Sequence, residues 1–366
     1  MKILLCFGTR PEAIKVAPIY HELISSGHNV IVVVTAQHRE MLDQVLDFFE
    51  IVPHYDLNLM QPNQSLNSLC ASIISEIDKV FLIENPDLVL VHGDTSTSSM
   101  VALSAFHRKI RIGHIEAGLR TYNKFSPFPE EINRQLIAKL ADYHFAPTKE
   151  AVENLKLDLI HDKNIYLVGN SVIDALELGI DKLNKGYQND AIEFLKTKID
   201  FSKKIILVTG HRRENFGSGI VEICHSLLEI SNRNDVFIVF PVHLNPNVLE
   251  PVHSILKNKS NILLIEPVEY PAFIWLMQKS FFLISDSGGI QEEAPTFGKP
   301  VLVTREVTER TEGLDLGLSF LVGTDKNKIV NKAIELLDLF SGFENKINPY
   351  GDGKTAKKIV KILNQN

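Results

Sequence analysis

Lys2-Ile3-Leu4-Leu5-Cys6-Phe7, followed by Gly8-Thr9-Arg10-Pro11-Glu12-Ala13-Ile14-Lys15, is the stretch on which the fold turns. After Lys2 the run is continuously apolar, as a strand buried on both faces of a parallel sheet requires. Gly8 and Thr9 end the strand, and Pro11 suits the first turn of a helix, where its missing N–H costs nothing. The same strand-then-helix pattern recurs. Further strands are predicted at Asn29–Thr35, Leu88–His92, Arg111–Ile115, Tyr143–Ala146 and Ile165–Val168, then at Lys204–Thr209, Val236–Pro241, Ile262–Ile265, Phe281–Ser285, Pro300–Thr304 and Ser319–Val322. Segments of helical period separate them; in 64–84, Leu66, Leu69, Ile73, Ile77, Val80 and Phe81 share a face. Repeated βαβ units predict an α/β fold.

At 366 residues the chain is long enough for two domains with separate cores. Lys182–Lys203 is polar, and the strand count restarts just after it. The crossing is expected near 170–175, with Gly169-Asn170-Ser171 as a hinge. This gives an N-terminal Rossmann-like domain (1–170), a C-terminal one (171–352) and a terminal helix (353–366) able to pack back on the N-terminal domain.

Composition narrows the class. With 45% hydrophobic and 23% charged residues and a mean hydropathy of +0.03, the chain reads as globular. Cys6, Cys70 and Cys224 are far apart and form no CxxC pair, which suits a reducing, cytoplasmic setting. The apolar start is too short for a signal peptide. No run reaches the roughly 18 apolar residues of a membrane span. A net charge of −7 argues against broad nucleic-acid binding, and makes local clusters of cations more informative. GxGxxG, GxxxxGK[ST] and HExxH are all missing, so neither a bound nicotinamide cofactor nor a metal is expected.

In open α/β sheets ligands bind beyond the carboxyl ends of the strands, and polar residues gather there. Arg10 and Lys15 follow the first strand and are placed to meet an anion with free N–H groups. His92-Gly93-Asp94-Thr95 and Glu116-Ala117-Gly118-Leu119-Arg120-Thr121 put carboxylates after neighbouring strands, an acid–base arrangement. Asp94 also suits a helix N-cap. Glu130 and Glu131 precede Ile132-Asn133-Arg134 and add a third acidic site. Further on, Gly210-His211-Arg212-Arg213 supplies cations. Asp286-Ser287-Gly288-Gly289 opens a helix whose backbone can approach a phosphate. Glu293 lies one turn in, and Arg305 and Arg310 follow the next strand.

Together these segments closely resemble the non-hydrolysing UDP-N-acetylglucosamine 2-epimerases along nearly the whole chain. Thr35-Ala36-Gln37-His38-Arg39, Pro129-Glu130-Glu131 and Asn348-Pro349-Tyr350-Gly351-Asp352-Gly353 add to the match. The resemblance implies a GT-B-like fold, with two Rossmann-like domains facing a central cleft, and a homodimer without a cofactor. Arg10, Lys15, Asp94, Glu116 and His211 would then line the site for UDP-GlcNAc and UDP-ManNAc. Ser287, Gly288, Gly289 and Glu293 would hold pyrophosphate and ribose, Phe273 would sit near the uracil, and Arg310 would complete a cationic wall. The acid–base candidates it implies are Asp94, Glu116 and Glu130, with His211 stabilising phosphate. Some bacterial relatives bind a second UDP-GlcNAc as activator; Gln37, Gln64 and His243 match that pattern, whereas Asn63 replaces an arginine. Two further departures are Thr311, where proline is common, and Val268, where some members carry glutamine.

Three alternatives remain at this level: a GT-B glycosyltransferase with a UDP-sugar donor, a hydrolysing epimerase, and a non-catalytic UDP-sugar sensor. Three first-domain carboxylates favour proton chemistry over transfer, and Gly8-Thr9-Arg10-Pro11-Glu12 favours the non-hydrolysing class. A sensor gains nothing from acids that repel a diphosphate.

Overall fold

In the computed structural model, which describes residues 1–35, 39–60, 64–343 and 348–365, every strand is paired in parallel. The first sheet contains β1 (Lys2–Phe7), β2 (Asn29–Val34), β3 (Tyr55–Asp56), β4 (Leu88–His92), β5 (Arg111–Ile115), β6 (Tyr143–Ala146) and β7 (Ile165–Leu167). Their order is β3-β2-β1-β4-β5-β6-β7, so the order reverses between β1 and β4. Leu5 is opposite Val32 on one side and Leu90 on the other, which explains why β1 is apolar throughout. The second sheet contains β8 (Lys204–Thr209), β9 (Val236–Pro241), β10 (Ile262–Ile265), β11 (Phe282–Ser285), β12 (Val301–Val303) and β13 (Ser319–Leu321). Its order is β10-β9-β8-β11-β12-β13, with the reversal between β8 and β11. Each reversal leaves a crevice at the carboxyl edge, where α/β proteins bind ligands.

The two sheets belong to separate units, Met1–Leu178 with Tyr350–Asn366, and Gly179–Pro349. The boundary lies inside the helix Ser171–Asn184, later than residue 170, and the chain returns to the first unit at Tyr350. The return is fixed by hydrogen bonds: Asn170 N–H donates to Tyr350 O at 2.7 Å, and Ala356 N–H to Asp174 Oδ1 at 2.8 Å. The terminal helix spans Thr355–Gln365 and packs on the helix Arg10–Ser25.

Each unit has its own core. In the first, Leu69, Ile73, Ile77, Val80 and Phe81 of the helix Leu66–Glu84 cover Leu4, Cys6, Val33 and Val91. Leu66, expected on that face, is the first residue of the helix and is 43% exposed. In the second, Ile206, Val208, Ile238, Phe240 and Ile284 meet Ile223, Leu227, Val252 and Ile329. Burying each such side chain contributes roughly 1.5–3 kcal/mol. Among the described residues no helix is long and apolar enough to cross a membrane, and no group of His, Cys, Asp and Glu is placed to hold a metal ion.

Candidate active site

Thr9 caps the helix Arg10–Ser25, and Glu12 completes the capping box. The Glu12 carboxylate also accepts from Gly8 N–H at 3.0 Å, Thr95 Oγ1 at 2.7 Å and Ser98 Oγ at 3.1 Å. Glu12 therefore staples the end of β1 to the end of β4. Burial raises its pKa, against the pull of these hydrogen bonds. Arg10, half-buried, starts the helix, and Lys15 lies further along it.

Lys15 Nζ is ion-paired with Glu116 Oε1, and only 11% and 10% of the two side chains are exposed. Asn170 Nδ2 donates to the same oxygen at 3.2 Å. Glu116, immediately after β5, has φ +64°, a left-handed conformation disfavoured for a residue with a Cβ. Gly118, two residues on, has φ +96°, and a Cβ there would stand 2.2 Å from Ala151 O. Only glycine fits that turn.

Asp94 is not a helix cap. Thr95 takes that role, its hydroxyl accepting from Ser98 N–H at 3.1 Å, which leaves the Asp94 carboxylate for other partners. Arg134 supplies them: Nε donates to Oδ2 at 3.1 Å, and Nη2 donates to the same oxygen. Asn133 Nδ2 donates to the Asp94 main-chain oxygen at 2.9 Å. Burial pushes the Asp94 pKa up; Arg134 opposes this, and the negative charge of Glu116 adds to it. That coupling brings the Asp94 and Glu116 carboxylates into one electrostatic neighbourhood.

Glu130 and Glu131 separate clearly. Glu131 is fully buried and accepts from Thr121 N–H at 3.0 Å, Tyr122 N–H at 3.1 Å and Gln135 Nε2 at 2.7 Å. Burial pushes its pKa up, but these donors and Arg134 together hold it below the usual carboxylate value. Its role is to anchor the 121–129 loop. Glu130 begins the helix Glu130–Leu140, one turn before Arg134 and on the same face. Its Oε2 is buried with no hydrogen-bond partner among the described atoms.

In the second unit Asp286 organises the end of β11. Its fully buried Oδ2 accepts from His211 N–H and Arg212 N–H, each at 2.9 Å, and from Asn215 Nδ2 at 3.2 Å. Its Oδ1 stands 3.3 Å from His211 Nδ1. Burial pushes the Asp286 pKa up, yet His211 and the N–H donors hold it below the usual value. The His243 ring stacks on His211, with centroids 5.9 Å apart. Burial, then the His211 charge, lowers the His243 pKa.

Ser287 precedes the short helix Gly288–Glu293 without capping it by its side chain. The Arg310 guanidinium lies on Gly288, where a Cβ would stand 2.8 Å from Cζ. Arg310 Nε donates to Glu292 Oε1 at 3.0 Å, and Nη1 to Glu309. Just before Thr311, Arg310 N–H donates to Thr308 Oγ1 at 3.2 Å, and that hydroxyl donates to Gln291 Oε1 at 2.8 Å. Arg305 bridges Glu214 and Glu309 at 3.0 and 2.8 Å. Glu293 is buried and accepts from Tyr270 Oη at 2.9 Å; Phe273 and Val268 are half-buried, Phe273 on the helix Tyr270–Lys279. Gln64 lies just before Ser65, which caps the helix Leu66–Glu84. Gln37 and Asn63 lie outside the described residues.

Arg134, Asn133, Asn170 and Asp286 were not singled out by the sequence as site residues. The one local signal for Arg134 was its spacing from Glu130, a helical turn. Asp286 sits directly after β11, where the sequence shows only a glycine-rich helix start.

Comparison with known proteins follows the same lines. The family model described as UDP-N-acetylglucosamine 2-epimerase matches residues 22–364. A Campylobacter jejuni protein named UDP-N-acetylglucosamine 2-epimerase is 50% identical, covering 99% of this chain and 97% of its own. An Escherichia coli K12 protein of the same name is 49% identical, over 100% and 99%. The crystal structure of UDP-GlcNAc 2-epimerase from Neisseria meningitidis bound to UDP-GlcNAc is 48% identical, covers both chains fully and superposes with a TM-score of 0.93. With parallel-sheet units of this order, carboxylates after neighbouring strands and similarity along its full length, the chain belongs to the UDP-N-acetylglucosamine 2-epimerase family.

Proposed function

We propose that the chain is a non-hydrolysing epimerase, interconverting UDP-GlcNAc and UDP-ManNAc by eliminating UDP and adding it back. The C2 proton of such a sugar is barely acidic, so direct removal and return is slow. If the C1–O bond breaks as a base takes the C2 proton, its electron pair leaves with UDP and a C1=C2 double bond forms. The intermediate is 2-acetamidoglucal. Re-addition of UDP at C1, with proton delivery to the opposite face of C2, gives the epimer. The cycle is redox-neutral. It needs a base, an acid on the other face and cations for the departing diphosphate.

The observation that carries this reading is the pair of restrained carboxylates after β4 and β5, Asp94 with Arg134 and Glu116 with Lys15. Glu116 and Glu130 handle protons, with Asp94 as the third acid–base group. His211, held by Asp286, stabilises phosphate and takes part in proton transfer. Arg10, Lys15 and Arg310 offset the diphosphate charge. Ser287, Gly288, Gly289 and Glu293 hold pyrophosphate and ribose, and Phe273 lies near the uracil. Gln37, Gln64 and His243 are assigned to an effector site for a second UDP-GlcNAc. The enzyme acts in the cytoplasm as a homodimer, supplying mannosamine donors for surface polysaccharides. Exposed Leu82, Ile83 and Phe106, on two helices packed on each other, suit a subunit interface.

The test is product identity after incubation with UDP-GlcNAc alone. UDP-ManNAc is the expected product. Free ManNAc with stoichiometric UDP would move the chain to the hydrolysing class. Binding of UDP-GlcNAc without turnover would favour a transferase or a sensor.

A further inference from the structure

Asn170 lies where two distant stretches of the first unit meet. It is 4% exposed and every polar part of it is engaged. Its N–H donates to Tyr350 O at 2.7 Å, its Oδ1 accepts from Val172 N–H at 3.1 Å, and its Nδ2 donates to Glu116 Oε1 at 3.2 Å. Because the Val172 N–H occupies Oδ1, the carboxamide has one orientation only, with its NH₂ toward Glu116. Gly351 packs against this residue: a Cβ there would stand 3.3 Å from Asn170 O and 3.5 Å from Asn170 N. The Asn348–Gly353 turn, which no step of the reaction uses, thus holds the residue that contacts Glu116.

We propose that Asn170 is a positioning residue for Glu116 in the proton transfer at C2, set in place by the returning Tyr350-Gly351 segment. This rests on the reading of Glu116 as a proton-handling group. Lys15 and Asn170 converge on Oε1; the lysine supplies charge, and the amide supplies direction. Two donors on one oxygen restrict how far the carboxylate can turn. The backbone of Glu116 is left-handed, and such a conformation persists only where its surroundings over-determine it.

Asn170→Asp keeps the size and the acceptor for Val172 N–H, but turns an anion toward Glu116. It should lower kcat by at least about tenfold, as a small misplacement of a reacting group does, with KM changed less than about twofold. The acidic limb of the kcat–pH profile should move to higher pH. Lys15, His92 and Asp94 are titratable groups whose charges act in this neighbourhood, so the limb is compared with wild type in the same buffers. If Asn170→Asp lowers the unfolding midpoint, Asn170→Ser carries the test, because it retains a side-chain oxygen for Val172 N–H without the anion. Gly351→Ala, which presses on the Asn170 backbone, should show a smaller loss in the same direction. Glu116→Gln is measured in parallel. If Glu116→Gln turns over near the wild-type rate, the reading of Glu116 falls and this inference with it. If Glu116→Gln is inactive while the stable Asn170 variant keeps the wild-type kcat and pH limb, the positioning role alone is overturned.

Discussion

Arg134 Nε donates to Asp94 Oδ2 at 3.1 Å, joining the first turns of one helix to the loop after β4. Burial works against the Asp94 charge and Arg134 works for it, so the ionisation of Asp94 depends on the guanidinium. Arg134→Gln should lower kcat about 100-fold, the scale of losing one preorganised electrostatic partner, and move the acidic limb to higher pH. Arg134→Lys keeps the charge but loses the fork, and should recover only part of the activity. Stability should fall by about 2 kcal/mol or less, because 24% of the Asp94 side chain still reaches solvent. Steady-state kinetics across pH check this; an unchanged pH profile in Arg134→Gln would remove Arg134 from the account.

A Cβ at Gly288 would meet the Arg310 guanidinium, 2.8 Å from Cζ. The Cβ of Gly288→Ala would displace the far end of a flexible side chain, not the backbone. The expected result is a fold that remains intact with the unfolding midpoint within a few degrees, but UDP binding about tenfold weaker, or about 1.4 kcal/mol. Calorimetric titration with UDP measures it. An unaltered affinity would show that Arg310 does not meet the diphosphate.

Three histidines, His92, His114 and His144, are buried on the neighbouring strands β4, β5 and β6. His114 Nε2 is 2.7 Å from Gly93 O, beside Asp94. Burial lowers their pKa values to about 4, about 3 and about 4, against an ordinary 6.5. The folded state therefore binds fewer protons than the unfolded chain in this window. Stability is fully present above pH 6.5 and is lost as pH falls from there toward about 4, on the order of 3 kcal/mol per histidine. Urea unfolding midpoints between pH 8 and 4 should stay level and then drop. A level profile down to pH 5 would mean that the rings are protonated in the folded protein.

Much of the fold was legible because strands buried on both faces are written as apolar runs. β1, β4, β5, β6, β8, β9 and β10 have the bounds expected from the residues. Thr35 and Thr304 fall just outside their strands, and β3, only Tyr55–Asp56, has no apolar run to announce it. The polar residues after the strands were equally visible. Their partners were not, because Arg134 reaches Asp94 from 40 positions along the chain. The role of Asn170 depends on a return of the chain at Tyr350 that no local pattern records; Gly169-Asn170-Ser171 therefore read as a hinge. Asp94 read as a cap because Asp and Thr are both good N-caps, and only the backbone of Thr95, φ −67° and ψ 160°, decides between them.

In the proposed mechanism the restrained carboxylates remove and return the C2 proton. The most direct measurement is proton NMR of UDP-GlcNAc incubated with the enzyme in heavy water. Epimerisation by elimination and re-addition predicts a UDP-ManNAc anomeric signal and deuterium entering C2 of the product. UDP-ManNAc that retained its original hydrogen at C2 would contradict the account.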